Sequence, residues 1–273
     1  MKTFYRIIAF ILPLLIVHCN LFAQYQVNGS AISTSCECNT LTQAVNSQTG
    51  SAFNSNQINL NNSFDFTFSV FAGCSDSGAD GFGFVLQNSG TTAVGGGGNG
   101  MGFTGISSSL GVLLDNYENG SDADTWYDHI SINKNGDMVH TSVNNLAGPV
   151  QTSAVSTNIE DCVTHTLRIT WNPGTQVFSV YFDGTLRVSY TGDIINSIFG
   201  GNPNVYWGFT GATGGLNNEQ RFCHTLTANT STSTNCSNST VQFTDLSSSS
   251  LGAILTWQWD IDNNSTTDYT TKN

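Results

Sequence analysis

Basic side chains are scarce in this chain. Seven Lys and Arg face 19 Asp and Glu in 273 residues, for a formal net charge of −12. Nucleic-acid binding is thereby excluded as a function class, because neutralising phosphates takes clustered Lys and Arg. Charged residues of both signs make up only 10% of the chain. The Ala, Glu, Lys, Leu and Arg that build coiled coils and helical bundles are too few for either. Proline occurs four times and no long 3.6-period segment with helix caps is present. What is abundant is Ser, Thr, Asn and Gly, with 28 glycines. This composition predicts a polar, β-rich protein. The length allows one large all-β domain or two ordinary ones.

The N-terminus has a separate character. Lys2 and Arg6 precede an apolar run from Ile7 to Val17, and Leu21-Phe22-Ala23-Gln24 follows. This order predicts a secretory signal peptide over residues 1–23 and a secreted or cell-surface protein. The apolar run is short for a bilayer span, so no transmembrane segment is expected after cleavage. A lipid anchor at Cys19 is the competing reading, and His18 before it is a poor substitute for a lipobox small residue. Cleavage removes Lys2 and Arg6 and no acid, which leaves the remainder more acidic still. Six cysteines then remain: Cys36, Cys38, Cys74, Cys162, Cys223 and Cys236. An even count in an exported chain predicts disulfides. Cys36 and Cys38 are too close to pair easily with each other. Cys74, Cys162 and Cys223 are expected to pair among themselves or with Cys36 or Cys38.

From Tyr25 onward the pattern is that of strands. Phe64–Phe71 and Thr166–Trp171 alternate apolar and polar residues, as does Val177–Phe182 after an Asn172-Pro173-Gly174 turn. Asp183-Gly184 turns into Leu186–Tyr190. Period-two alternation bounded by turn residues marks half-buried strands. Phe82–Leu86, Leu110–Leu114 and Val205–Phe209 are richer in apolar residues and suit inner strands. Trp171 and Trp207 fall in these patterns as core residues. Enough strands are present for a two-sheet sandwich.

Two loops carry unusual chemistry. Gly95-Gly96-Gly97-Gly98-Asn99-Gly100 lies between apolar strands, where a glycine run lets the backbone approach a neighbour closely. No helix and no GK[ST] follows, so it is no phosphate loop. The second runs from Asp115 through Asn116, Tyr117, Glu118, Asn119, Asp122 and Asp124 to His129. Oxygen donors at Asp115, Asn119 and Asp124, with the Tyr117 carbonyl, suit Ca²⁺, which takes 6–8 oxygens. The imidazole of His129 suits a transition metal. An acidic solvated turn is the alternative for this segment.

Four blocks in order resemble the legume-lectin-like (L-type) lectin family. They are Ala79-Asp80-Gly81-Phe82-Gly83-Phe84-Val85, the glycine loop through Gly102, Leu113–Asn119 with Asp124 and His129, and Trp207-Gly208-Phe209-Thr210-Gly211-Ala212-Thr213-Gly214. The resemblance covers about residues 25–228 and is most specific in the metal block, where every gap matches. It implies an all-β, two-sheet jelly-roll sandwich over residues 24–230, with a sugar site at one rim. It implies calcium held by Asp115, the Tyr117 carbonyl, Asn119 and Asp124. A neighbouring transition-metal site, manganese in the family, would use Asp115, Asp124 and His129. Leu113 stands where the family has a Glu, which removes one charged ligand from that second site. The sugar site implied is Asp80, the glycine loop at Gly98 or Gly100, Tyr117 and Asn119. A variable loop at Gly215, Leu216 and Asn217 would tune the choice of glycan. The family's Ala79–Asp80 peptide is cis. Trp126 is expected to pack over the metal loop, and His140, His165 and His224 receive no role.

The tail is different again. Residues 231–239 are Ser-, Thr- and Asn-rich and read as a linker. Val241–Asp245 and Ile254–Asp260 read as strands and resemble the opening of a PKD-type Ig-like module. Residues 240–273 are too few for a complete one. Three functions compete: a calcium-dependent glycan-binding module, an accessory or catalytic unit of a glycoside hydrolase, and a structural adhesion spacer. A glycosidase needs two spaced carboxyl groups flanking the scissile bond. No strand carries such a pair, and Glu160 and Asp161 are adjacent and point to opposite faces. A non-enzymatic lectin is the expectation.

Overall fold

In the computed structural model, residues 25–35 and 38–224 are described with their side chains, and 226–227, 230–233, 242–245 and 248–249 as strand backbone. The expected signal peptide, Cys36, Cys236 and the strand expected at Ile254–Asp260 lie outside the described residues. Thr230–Ser233 pairs antiparallel with Gln242–Asp245. The first residues of the expected linker, 231–233, are therefore strand, and 234–239 lie outside the described residues.

Fifteen strands build the main body: β1 (Tyr25–Gly29), β2 (Ile32–Ser33), β3 (Cys38–Thr42), β4 (Thr49–Asn54), β5 (Ile58–Asn59), β6 (Phe64–Phe71), β7 (Gly81–Gln87), β8 (Ser109–Asp115), β9 (His129–Lys134), β10 (Asn145–Gln151), β11 (His165–Asn172), β12 (Val177–Phe182), β13 (Thr185–Thr191), β14 (Asn204–Ala212) and β15 (Gln220–His224). One sheet runs β1-β4-β14-β7-β8-β9-β10, with β5 appended to β14, and the other runs β13-β12-β11-β6-β15-β3-β2. Every pairing is antiparallel. A short α-helix, α1 (Ile194–Ser197), is capped by the Asp193 carboxylate on the Asn196 N–H. No helix among the described residues is long and apolar enough to cross a membrane.

The alternation seen in the sequence sets which face is inside. Along β6, Phe66, Phe68 and Val70 are buried while Asp65 is exposed and Thr67 and Ser69 are half-buried. Leu167, Ile169 and Trp171 of β11 do the same, in register with β6. They meet Phe82, Phe84, Leu114, Trp207 and Phe209 from the first sheet in one hydrophobic core. Each fully buried side chain of this size stabilises by about 1.5–3 kcal/mol. The buried Trp171 indole N–H finds a partner, donating to the Leu60 carbonyl at 2.7 Å. Disulfides join Cys38 to Cys223 across β3 and β15, and Cys74 to Cys162 between loops.

The central strands of the first sheet are covered on both faces. β7 and β8 are buried at every position. Their outward side chains Val85 and Leu113 join Phe53, Met101, Phe103 and Met138 in a second apolar cluster. Met101 and Phe103 belong to the glycine loop. That loop is thus anchored beneath by hydrophobic burial, and its glycine backbone is carried over the sheet's end.

Candidate ion and ligand site

Four strands bring the chemistry to one rim. β14, β7, β8 and β9 are neighbours, with Ala212 opposite Gly81, Gly81 opposite Asp115, and Asp115 opposite His129. The chain leaves or enters the sheet at each of these residues. Asp80 sits one position outside β7. Its N–H donates to the Ala212 carbonyl and its carbonyl accepts from the Asn116 N–H, both at 3.0 Å. The Ala79–Asp80 peptide is cis. These contacts hold the Asp80 backbone on both sides.

The Asp80 carboxylate is 6% exposed. Its Oδ2 has no hydrogen-bond partner. Burial pushes its pKa up to about 6. Glycine backbone surrounds it. A Cβ on Gly214 would lie 2.9 Å from Oδ2, and one on Gly98 would lie 4.0 Å away. Gly98 is in the left-handed region, at φ 58°, where glycine pays no Cβ penalty. Gly100 is placed differently: it is buried, and a Cβ there would press on Thr104 at 3.0 Å. It shapes the loop and does not face Asp80. Gly215 has open space around it, Leu216 is exposed, and the Asn46 amide donates to the Gly215 carbonyl. Ser47 N–H donates to the Gly214 carbonyl at 3.0 Å. The 214–217 loop is therefore tied to the 45–48 loop at its base.

Beside Asp80 lies the acidic loop. Asp115 is buried, and its Oδ1 accepts from the Tyr117 N–H at 3.0 Å. Asp124 Oδ2 accepts from the Asn119 N–H at 2.8 Å. These two bonds fold residues 115–124 back on themselves. Burial, and then the charge of Asp124, push the Asp115 carboxyl well above the usual carboxylate range, and Asp80 and Asp122 add to it. Asn119 Oδ1 is buried without a partner. A buried polar atom left unpaired costs about 1–3 kcal/mol. Unpaired oxygens among mutually repelling carboxylates are the donor set of a cation site. The Tyr117 side chain is exposed beside it.

The transition-metal side differs from expectation. His129 Nε2 lies 2.8 Å from His140 Nε2. Asp124 Oδ1 is 3.1 Å from His140 Nε2 and 3.6 Å from His129 Nε2. Asp124, His129 and His140 are the group whose ligand atoms converge. Asp115, expected in this set, is not part of the convergent group, and His140 is. Burial lowers the His129 pKa to about 4. Leu113, in the family's Glu position, points into the second apolar cluster and is 1% exposed. Trp126 also differs from expectation. It is 73% exposed and its ring meets that of Tyr127, edge to face.

Another carboxyl pair was invisible in the sequence. Glu160 is buried, its Oε1 accepts from Asn218 at 2.9 Å, and the Asp128 carboxylate lies close enough to act on its charge. Asp128 Oδ2 also takes the Ile159 N–H at 2.6 Å. Burial first, and then Asp128, raise the Glu160 pKa to about 9. These residues are 32 positions apart and come together only through the loops before β9 and β11. Both are buried, so they brace those loops.

The sandwich and its rim define a class: a jelly-roll β-sandwich with an acidic loop and a glycine-lined carboxylate side by side. The family model of the legume lectin β-barrel domain matches residues 17–226. The chain belongs to the L-type lectin domain family. Similar solved structures include the Bauhinia forficata lectin in complex with GalNAc, with a TM-score of 0.57 and 22% identity over 73% of this chain and 89% of that one. Lectin II from Ulex europaeus has a TM-score of 0.59 at 18% identity, covering 73% and 90%. The metal-free form of lectin I-B4 from Griffonia simplicifolia has 0.59 at 20%, covering 76% and 92%. At these identities the likeness speaks for the fold. A 96-residue stretch is 34% identical to pesticidal crystal protein Cry22Aa of Bacillus thuringiensis, covering 35% of this chain and 13% of that relative.

Proposed function

We propose that this chain is an exported, non-enzymatic lectin module whose sugar site is organised by calcium. The observation that carries the reading is the Asp80 carboxylate, buried, with an unpartnered oxygen facing the backbone of Gly98 and Gly214. A carboxylate accepts two hydroxyl protons side by side. Gly98 can present its N–H without a Cβ in the way. The Asn119 amide can donate to a sugar oxygen, and its unpaired Oδ1 would be left to hold the ion. The Tyr117 ring, 41% exposed, offers an apolar face to sugar C–H groups. Gly215 and Leu216 would border the ligand.

Calcium fits the residues present. Asp115, Asn119, Asp124 and the Tyr117 carbonyl supply hard oxygens, and Asn119 Oδ1 is unpaired among them. The ion would supply positive charge that fixes the loop and relieves the repulsion among Asp80, Asp115 and Asp124. Asp80 and the ion loop share the Asn116 N–H to Asp80 carbonyl bond. Ordering one orders the other. Two disulfides suit an oxidising compartment outside the cytosol.

The test is a glycan array probed with the full chain in calcium, in chelator, and as Asp80→Ala. The sugars named for the similar structures, GalNAc and galactose, belong among the first ligands. The expected result is binding that both controls abolish. Binding that survives Asp80→Ala in a folded protein refutes the site. A folded, calcium-loaded protein that binds no glycan favours the structural-spacer reading.

A further inference from the structure

We propose that Asp124, His129 and His140 form a two-imidazole site for a late first-row transition ion, Zn²⁺ above all, in place of a carboxylate-rich manganese site. The inference rests on reading the 115–129 loop as an ion loop, but not on sugar binding. Its ground is the ligand chemistry at the rim. The position from which the family contributes a Glu holds Leu113, which is buried with Phe53, Val85, Met101, Phe103 and Met138. No carboxylate can reach the site from there. His140 fills the loss from a different element, the connection between β9 and β10.

The geometry suits one small ion. Tetrahedral Zn²⁺ takes nitrogen at about 2.0–2.1 Å and carboxylate oxygen at about 2.0–2.2 Å, so its ligand atoms stand about 3.3 Å apart. Here the three separations are 2.8, 3.1 and 3.6 Å. Asp124 Oδ1 has no hydrogen-bond partner, and its side chain is fully buried. The two ring nitrogens facing each other are both Nε2.

The surroundings hold both rings in place. The Tyr127 backbone carbonyl accepts from the His129 ring. His140 Nδ1 meets the Asn145 side-chain amide at 2.9 Å. With that amide turned, its oxygen accepts the Nδ1 proton and leaves Nε2 free as a ligand. Such partners fix the tautomer and orientation of metal-binding histidines. The His140 backbone N–H donates to the Asp122 carbonyl at 2.9 Å. Asn99 of the glycine loop donates to Asp122 Oδ2 at 2.8 Å. His140 is thus linked to both loops of the rim. Two imidazoles and one carboxylate suit Zn²⁺, Ni²⁺ or Cu²⁺, whereas Mn²⁺ prefers oxygen ligands. Three protein ligands leave a fourth position for water.

Co²⁺ is the probe, because it reports coordination through its visible absorption. The full chain, stripped with chelator and reloaded with calcium, would be titrated with Co²⁺, then with Zn²⁺ or Mn²⁺ as competitor. The expected result is one Co²⁺ per chain with intense tetrahedral bands. An equivalent of Zn²⁺ displaces it and an equivalent of Mn²⁺ does not. His140→Asn should weaken Co²⁺ binding at least about tenfold. Should that variant misfold, proton NMR of unmutated Co²⁺ protein decides, by showing hyperfine-shifted signals from two imidazoles. No bands in the folded, calcium-loaded chain would show that the His129–His140 contact is a plain brace and would overturn the proposal. So would displacement by Mn²⁺ ahead of Zn²⁺, or shifted signals from one ring alone. Asp80→Ala should leave Co²⁺ binding intact, which separates this outcome from failure of the lectin reading.

Discussion

Glu160→Gln should make the protein more stable at neutral and alkaline pH. Glu160 is 2% exposed and holds its proton against Asp128, with its pKa raised from 4.5 to about 9. In the unfolded chain the same carboxyl ionises near its ordinary value. Between those two values the native state binds a proton that the unfolded state has lost. Stability therefore falls as pH rises, by about 1.4 kcal/mol per unit at most. The contribution is whole below about pH 4.5 and gone above about pH 9. Asp128 is raised in the same direction and shares the proton, so Glu160 alone should account for about 2–3 kcal/mol between pH 5 and 8. Glutamine keeps the shape. Its Oε1 can still accept from Asn218, and its amide can donate to Asp128 at every pH. For a domain of this size, about 2–3 kcal/mol is about 5–10 °C in Tm. The assay is thermal unfolding of both proteins at pH 5 and pH 8 with calcium fixed. The two should melt alike at pH 5, and the variant should melt higher at pH 8. Parallel curves, or a variant that melts lower at both, would refute the argument that Glu160 is protonated in the native state.

Gly214→Ala places a methyl 2.9 Å from Asp80 Oδ2. Titration calorimetry should show glycan affinity reduced at least about tenfold, or about 1.4 kcal/mol. Gly174→Ala, in the turn between β11 and β12, has no part in the cradle and should bind as before. If both variants bind equally well, Gly214 does not line the cradle. Asp124→Ala should lower Tm chiefly in calcium. At a calcium level 100 times its Kd, lost linkage removes about 2.7 kcal/mol. Equal loss with and without calcium would make the loop an ordinary turn. Replacing Cys38 and Cys223 by serine releases a closure of 185 residues. Chain entropy sets the loss at no more than about 5 kcal/mol, readable as a fall in guanidinium midpoint. An unchanged midpoint would mean that β3 and β15 hold together without the bond.

What was legible in the sequence follows from where side chains point. β6, β11, β12 and β13 each have one face in the core, so their alternation marks them almost to the residue. β4 (TGSAFN) and β10 (NLAGPVQ) have no such signature. Their neighbours in the sheet make them strands, and a single chain does not display its neighbours. The rim divides in the same way. Asp80, Asp115, Asn119 and Asp124 fall in short ordered blocks, because strand ends and tight loops impose local spacing. His140 follows His129 by 11 residues with no motif between, and only the turn held by Asp137, Ser142 and Asn144 returns it to the site. Trp126 misled for the opposite reason. A tryptophan is a good core residue by its chemistry, and nothing local says that its loop stands clear of the sheet.

The second apolar cluster has a consequence for how such a rim can change over evolutionary time. Met101 and Phe103 fasten the glycine loop from below, while Tyr117, Leu216 and Trp126 face solvent. The residues that hold the platform and those that would touch a ligand are different residues. Exchanges at 117, 126 and 216 can accumulate without disturbing either hydrophobic cluster. The rim can therefore change its surface chemistry while the scaffold beneath it keeps its packing. A library randomised at those three positions should yield mostly folded proteins, and one randomised at 53, 101 and 103 should not.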